Sequence, residues 1–190
     1  MRKIISLFKR DYDGNRQVYD EVVEGAEWVL AGEGVATEKV DGTCCLVAEG
    51  SLWKRRSVKP GKQSPAGFVH VDTDELTSRK WGWVPVGTGP EDRWHREAWG
   101  NAPAATAWAS GTYELVGPKV QGNPYGMPNH GLWKHGAACE SPHMPRDFEG
   151  LKKYFRDACI EGIVWHHPDG RMVKIKKEDF GFKWTGRGSD

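Results

Sequence analysis

Short apolar segments that end at a glycine, a proline or a turn sequence constrain the fold of this chain more than any other feature. Such segments are typical of β-strands joined by tight turns. We predict strands in two short parts of 35–47 and at 52–58, 112–116, 160–166 and 171–177. Pro168, Asp169 and Gly170 join the last two strands and predict a hairpin. Asp41 and Gly42 predict a second tight hairpin turn.

One amphipathic helix is expected at residues 145–159. Phe148, Leu151, Phe155 and Ala158 recur there at helical spacing, while charged residues occupy the other positions. The apolar stripe predicts that this helix packs against a sheet.

The remaining segments give weaker signals. Residues 1–10 are expected to open with a strand, and 59–110, rich in glycine, proline and tryptophan, to be mostly irregular with short strands. The fold class is therefore α+β, with one domain dominated by antiparallel strands.

The composition excludes a membrane-spanning protein. The chain has 190 residues, of which 38% are apolar and 28% charged, and no apolar run approaches the roughly 20 residues of a membrane helix. A net charge of +1 argues against coating nucleic acid by bulk attraction but allows a local basic groove. The four cysteines lack CxxC spacing, which argues against disulfides and a structural zinc site and favours a cytoplasmic protein.

A lysine with nearby carboxylates is the first candidate for chemistry. Glu38, Lys39, Asp41 and Gly42 lie together in the sequence. Alone, this pattern is equally typical of a solvated hairpin tip, so it is a weak signal.

Three later clusters strengthen that signal. Glu114 and Glu161 each interrupt an apolar strand, and Lys174 and Lys176 alternate with apolar residues. Any half-buried strand shows such alternation. Ordinary strand patterning does not explain why all these features occur together and in this order.

In that order the motifs resemble those of the covalent nucleotidyltransferases, which include DNA ligases, RNA ligases and mRNA capping enzymes. The family order is a KxDG nucleophile motif, an arginine motif, a glutamate motif, an EG motif and a KxK motif. The matching residues here are Lys39 to Gly42, Lys54 with Arg55, Glu114, Glu161 with Gly162, and Lys174 with Lys176. Residues 37–39 resemble the start of phage-type RNA ligases, and residues 42–45, 114–117 and 122–126 look similar to the single-domain RNA ligase 1 family.

This resemblance implies a fold and an activity. The expected fold is one adenylation domain over residues 1–190, without a C-terminal OB domain, in which two mainly antiparallel sheets with flanking helices hold the nucleotide between them. The implied enzyme is an ATP-dependent RNA ligase that joins 5′-phosphate and 3′-hydroxyl RNA ends. In the family, the lysine takes AMP from ATP, the AMP passes to the 5′-phosphate, and the 3′-hydroxyl displaces it. RNA and ATP are the implied partners, with no protein partner inferred.

The catalytic residues implied are Lys39 as nucleophile, with Lys174 and Lys176 beside it. A lysine attacks phosphorus only after losing its proton, so its surroundings must disfavour the ammonium form. Two neighbouring lysines and a bound Mg²⁺, with Mn²⁺ as a substitute, would have that effect and would also neutralise phosphate oxygens. Glu161 is the expected metal ligand, and Asp41 is expected to reach the ion through water.

Further nucleotide contacts are assigned by the same resemblance. The expected set is Glu38, Asp41, Gly42, Lys54, Arg55, Glu114 and Ile163. Glu114 and Arg55 look like ribose contacts, with Arg55 preferred over Arg56. Glu38 resembles a residue at the adenine amino edge, and Ile163 resembles the apolar residue on the adenine face.

Two other functions remain open from the sequence. A minimal DNA ligase would keep every residue role, and a non-catalytic nucleic-acid-binding module would use its tryptophans to stack on bases. The tryptophans considered for RNA contact are Trp81, Trp83, Trp94 and Trp99. Plain packing is the favoured interpretation of these residues, and Tyr125 is a further candidate for stacking on adenine. Solvent-facing positions are likewise favoured over metal binding for His130, His135, His166 and His167.

Overall fold

The computed structural model describes residues 3–75, 77–101, 108–137 and 143–187. The chain forms two compact units. The central unit comprises Met1–Lys3 and Asp41–His135, and the terminal unit comprises Ile4–Val40 and Gly136–Asp190. The expectation of a single adenylation domain over residues 1–190 stays a prediction.

The described residues form an α+β structure, as expected, with many strands and few helices. In chain order the strands are β1 (Ile5–Ser6), β2 (Phe8–Arg10), β3 (Val18–Val22), β4 (Val35–Lys39), β5 (Thr43–Ala48), β6 (Ser51–Val58), β7 (Val69–Thr73), β8 (Lys80–Pro85), β9 (Gly111–Val116), β10 (Gly131–Lys134), β11 (Gly162–His166) and β12 (Met172–Lys176). The α-helices are α1 (Glu27–Leu30), α2 (Arg93–Gly100) and α3 (Phe148–Asp157). No helix in the described part of the chain has the length and apolar character needed to cross a membrane.

The terminal unit is built on a four-stranded sheet in the order β1-β12-β11-β4. β11 pairs antiparallel with both β12 and β4, whereas β1 pairs parallel with β12. β2 and β3 form a separate antiparallel pair. The predicted hairpin between β11 and β12 is confirmed: the backbone N–H of His167 donates to the Arg171 carbonyl oxygen at 2.9 Å, and Gly170 adopts a φ of 91°.

The predicted helix is confirmed as α3, with shorter ends. The Asp147 carboxylate caps its first turn by accepting a hydrogen bond from the Gly150 N–H at 2.8 Å. Leu151 and Phe155 are fully buried in a core that also contains Ile163 and Trp165 of the sheet. The apolar stripe therefore packs against the sheet, as the sequence predicted.

The central unit is built on a six-stranded antiparallel sheet in the order β10-β9-β5-β6-β8-β7. Its core consists of small and medium apolar side chains with tryptophans packed against them. The buried members are Cys45, Val47, Leu52, Ala98, Tyr113, Leu115, Val120 and Leu132.

The prediction of a hairpin at Asp41 and Gly42 is wrong. β4 pairs with β11, whereas β5 pairs with β6 and β9, so the two strands belong to different sheets. Gly42 also lacks the positive φ that two-residue hairpins favour. A Cβ atom at Gly42 would lie 2.3 Å from the Leu115 carbonyl oxygen. The glycine is therefore required by the close approach of the chain to β9.

Residues 59–110 contain more regular structure than predicted. They include β7, β8 and the unpredicted helix α2. The buried residues of α2 are His95 and Ala98, one polar and one small, and Trp94 and Trp99 pack partly buried against the same core. Because the whole segment is rich in tryptophan, these two did not indicate the apolar stripe of an amphipathic helix.

Gly162→Ala tests the close packing of the sheet in the terminal unit. A Cβ atom there would lie 2.4 Å from the Ile175 carbonyl oxygen, so we expect the free energy of unfolding to fall by about 1–3 kcal/mol. Urea unfolding measures the change. Gly131→Ala in β10 is the matched control, because no atom lies within 4 Å of its added Cβ. Equal losses of stability in the two variants would contradict this explanation.

Candidate functional site

The four-stranded sheet carries three lysines on one surface, which we call the lysine face. Gly162 in β11 pairs with Lys39 on one side and with Lys176 on the other. Cross-strand partners point to the same face of a sheet, as do residues two apart in a strand. Lys174 therefore shares this face with Lys39 and Lys176.

Glu161, immediately before β11, lies among these lysines. Its Oε2 is 2.6 Å from the Lys39 Nζ, and its Oε1 is 3.9 Å from the Lys176 Nζ. The Glu161 side chain is only 8% exposed and that of Lys39 is 23% exposed. The structure thus brings together the acid and the lysines that the sequence grouped, and Lys39 does not extend into bulk solvent.

The pKa of Lys174 lies well below the ordinary lysine value. Burial, together with the positive charges of Lys39 and Lys176, lowers its pKa to about 8 against the opposing effect of Asp179 and Glu161. Three amines around one carboxylate make this surface suited to binding a polyphosphate.

Two residues predicted to contact adenine lie on the other face of the sheet. Ile163 is fully buried in the core, and its cross-strand partner Glu38 pairs with the Arg187 guanidinium. Burial raises the pKa of Glu38, and the Arg187 charge opposes that rise. Val164, 7% exposed, lies on the lysine face instead, between Thr37 and Lys174. Both Ile163 and Val164 are apolar, so the sequence could not show which one faces the lysines.

In the central unit, two of the expected residues, Arg55 and Glu114, lie within one array of side chains around Cys44. Cys44 on β5 pairs directly with Glu114 on β9, and Arg55 on β6 hydrogen-bonds to the Cys44 thiol. The His135 Nε2, just after β10, lies 2.7 Å from a Glu114 carboxylate oxygen. Burial, together with the Glu114 charge, raises the pKa of Cys44 to about 12 against the opposing effect of Arg55. Arg55 and Glu114 are therefore both neighbours of Cys44, while the contact with His135 was not predicted.

Lys54 is separated from that array. It pairs with Cys45, on the core face of β5, and forms an ion pair with the buried Asp92. Burial acts to raise the pKa of Asp92, but hydrogen bonds from Lys54 and the Gly87 N–H outweigh it and hold this pKa below its usual range. The structure does not bring Lys54 together with Arg55 and Glu114, because adjacent residues of a strand face opposite ways.

A glycine-rich loop is attached to the KxDG segment. The Asp41 N–H donates to the Tyr125 hydroxyl at 2.6 Å, and the Gln121 amide donates to the Gly42 carbonyl oxygen at 3.3 Å. The Tyr125 ring packs against Trp133 at 4.9 Å between centroids. These contacts hold the loop against the residues that directly follow Lys39 in the sequence.

Comparison with known proteins finds similarity to proteins named RNA ligase 1. Residues 101–189 match the family model of RNA ligase 1. The chain is 28% identical to RNA ligase 1 of Danio rerio, over 93% of its own length and 76% of that protein's. It is also 28% identical to RNA ligase 1 of Mus musculus, and 26% identical to that of Pongo abelii, each over 79% of this chain and 68% of the relative. The chain is a relative of the RNA ligase 1 proteins. The matched segment includes Glu114, Glu161, Lys174 and Lys176.

The tryptophans of this RNA ligase 1 relative make internal contacts. Trp83 is buried, and Trp94 is covered by His130, at 4.5 Å between ring centroids, and by Arg93, whose Cζ is 3.7 Å from the ring centroid. Trp99 stacks with Trp108 at 6.0 Å. These contacts favour packing over base stacking. Trp81 likewise has a cation on its ring, the Arg55 guanidinium at 4.9 Å.

Replacing Lys174 by methionine tests the burial of its charge. Below pH 8 the folded protein holds a desolvated ammonium group that the unfolded chain exposes to water, so Lys174→Met should raise the free energy of unfolding at pH 7 by about 1–3 kcal/mol. The gain should shrink as the pH rises from about 8 towards the ordinary lysine value of 10.5, where the native side chain is neutral. Urea unfolding at several pH values measures it. Lys153→Met, at an exposed position of α3, is the control, and a less stable Lys174→Met protein at pH 7 would contradict the argument.

Proposed function

We propose that this chain is an ATP-dependent RNA ligase that joins 5′-phosphate and 3′-hydroxyl RNA ends through a lysyl-AMP intermediate. The observation that carries the proposal is the lysine face, where the Lys39 amine lies 2.6 Å from the Glu161 carboxylate beside Lys174 and Lys176. The relationship to proteins named RNA ligase 1 supports the same conclusion.

In the first step the Lys39 Nζ attacks the α-phosphorus of ATP. A nitrogen–phosphorus bond forms, the bond to the pyrophosphate oxygen breaks, and the amine loses its proton. Phosphoryl transfer depends mainly on positioning and on neutralising charge. Lys174 and Lys176, on the same face as Lys39, are suited to neutralise the phosphate oxygens.

Burial of the Lys174 charge lowers the stability of the free protein, and ATP binding would offset that loss. A buried ammonium group is poorly solvated when no anion is near, which is why its pKa falls to about 8. Phosphate oxygens would replace the lost water and stabilise the charged form. Part of the stability of the free protein is therefore given up for affinity towards a polyphosphate.

The residues present fit a magnesium ion at Glu161. Mg²⁺ in nucleotide sites commonly takes one or two carboxylates and completes its shell with phosphates and water. Glu161 offers one largely buried carboxylate at the lysine face. When bound, the ion supplies positive charge to the triphosphate. Occupation of the Glu161 carboxylate by the ion would remove its ion pair with the Lys39 amine. A water-mediated contact from Asp41, and Mn²⁺ as a substitute, remain part of the proposal.

The nucleotide contacts follow the resemblance, with two changes. Arg55 and Glu114 are proposed to contact the ribose. The contact of Glu38 with the adenine amino edge is not carried into this proposal, because Glu38 shares the opposite face of the sheet with Ile163. We transfer the apolar contact on the adenine face from Ile163 to Val164, because Val164 shares the lysine face. In the later steps the AMP passes from Lys39 to an RNA 5′-phosphate, and a 3′-hydroxyl then displaces AMP to form the phosphodiester bond.

Labelling with ATP tests the nucleophile. Incubation with Mg²⁺ and ATP labelled at the α-phosphate should leave label on the native protein, while Lys39→Met should take none because it lacks the attacking amine. Mass spectrometry of the digested protein should locate an AMP adduct on Lys39. Lys153→Met, which removes an exposed lysine from α3, should be labelled like the native protein.

A folded native protein that takes no label with Mg²⁺ or Mn²⁺ over a range of pH would refute the enzyme proposal. If that protein still bound RNA, the non-catalytic binding module would replace it.

Nick sealing tests the choice of substrate. RNA with 5′-phosphate and 3′-hydroxyl ends should be sealed faster than DNA of the same sequence when the native protein and ATP are supplied. Product yield on a denaturing gel measures the two rates, and Lys39→Met provides the background. Faster sealing of DNA would favour the minimal DNA ligase while leaving the lysyl-AMP chemistry intact.

A further inference from the structure

Three potential metal ligands lie together in the central unit, outside the lysine face. The Cys44 Sγ, a Glu114 carboxylate oxygen and a His135 ring nitrogen all lie within 4.8 Å of one another. We call these residues the Cys44 cluster. It is the one group of at least three such ligands found among the residues that the structure describes.

The sheet itself holds the Cys44 cluster in place. Cys44 and Glu114 are direct partners on β5 and β9, and Trp133 on β10 is the partner of Glu114 on its other side. His135, two residues beyond Trp133, is fixed by a hydrogen bond from its N–H to the Thr112 carbonyl oxygen at 3.0 Å. The three side chains therefore come from adjacent strands and need little rearrangement to share a ligand.

We propose that the Cys44 cluster binds a divalent ion of borderline softness, with Zn²⁺ as the best fit. A thiolate, an imidazole and a carboxylate are the ligand types that zinc accepts, at about 2.0–2.3 Å. Magnesium and calcium prefer oxygen ligands alone, so the thiol and imidazole select against them. Three protein ligands leave a fourth tetrahedral position for water, as in open zinc sites.

The charges of the cluster favour a cation. On binding, the Cys44 thiol releases its proton to solvent and forms a sulfur–metal bond, while the His135 Nε2 and a Glu114 oxygen donate lone pairs. Burial and the Glu114 carboxylate keep the thiol protonated without metal, and a divalent ion would compensate both negative groups. Arg55, which hydrogen-bonds to the thiol, can continue to donate to the bound thiolate. The buried His135 Nδ1 makes no hydrogen bond to the residues that the structure describes, so none of these residues fixes the ring through that atom.

The inferred ion uses a carboxylate that the proposed ligase also needs. Glu114 is the proposed ribose contact, so zinc and nucleotide would compete for it. That consequence rests on the proposed function, whereas metal binding itself does not.

A cobalt titration tests the site directly, without any need for ligase activity. Co²⁺ replaces Zn²⁺ in such sites and gives a thiolate-to-cobalt charge-transfer absorption when a cysteine is bound. We expect one Co²⁺ per metal-free full-length chain, with that absorption, and its loss when Zn²⁺ is added. Cys44→Ser should abolish the absorption and weaken Zn²⁺ binding by at least about 100-fold, measured by competition with a chromophoric chelator.

Matched variants separate this site from adventitious binding. Cys159→Ser removes an exposed thiol outside the cluster and should change neither measurement. His135→Ala removes a second ligand from a side chain that is 22% exposed, and should weaken Zn²⁺ binding even if Cys44→Ser fails to fold. Circular dichroism checks folding in each case. Absence of Zn²⁺ binding by the folded native protein, or a charge-transfer band that survives Cys44→Ser or disappears in Cys159→Ser, would overturn the inference.

Discussion

The ion pair between Lys39 and Glu161 is the interaction on which the site in the terminal unit depends. It exists because Gly162, between β4 and β12, lets three strands approach closely enough to place their lysines around one carboxylate. A larger residue there would meet the backbone of β12. The same carboxylate pairs with the Lys39 amine and is the proposed ligand of the metal. The Glu161 side chain would therefore act both in the free protein and in the proposed complex with metal and ATP.

The amphipathic helix and the last hairpin could be predicted because the residues that determine each of them lie within the element itself. The prediction of a hairpin at Asp41 and Gly42 was wrong because the same dipeptide also permits a close approach of the backbone to another strand. No local sequence pattern reveals such a long-range contact. Helix α2 was missed because its two buried residues are polar or small, and its two partly buried tryptophans lie in a segment rich in tryptophan. In both cases tertiary contacts, and not intrinsic preference, decided the local structure.

The candidate site, like the fold, could be predicted only in part from the sequence. Motif order grouped Lys39, Glu161, Lys174 and Lys176, and the structure brings them together on one sheet. The predicted strand at 52–58 already implies that Lys54 and Arg55 face opposite ways, but which of them lies on the face of Glu114 cannot be inferred when the register is unknown. The Cys44 cluster had no signal in the sequence, because its three residues come from distant segments and the cysteine spacing argued against zinc.

Both ends of the described chain are fastened to the sheet that carries Lys39. β1 pairs with β12, which bears Lys174, and Arg187 reaches Glu38 on β4. Fraying at either end would therefore loosen strands that carry the proposed catalytic lysines, so the proposed activity would depend on the order of these segments. For protein engineering, a reporter inserted into the largely exposed stretch at 59–67 of the central unit should disturb that sheet less than a fusion at either terminus.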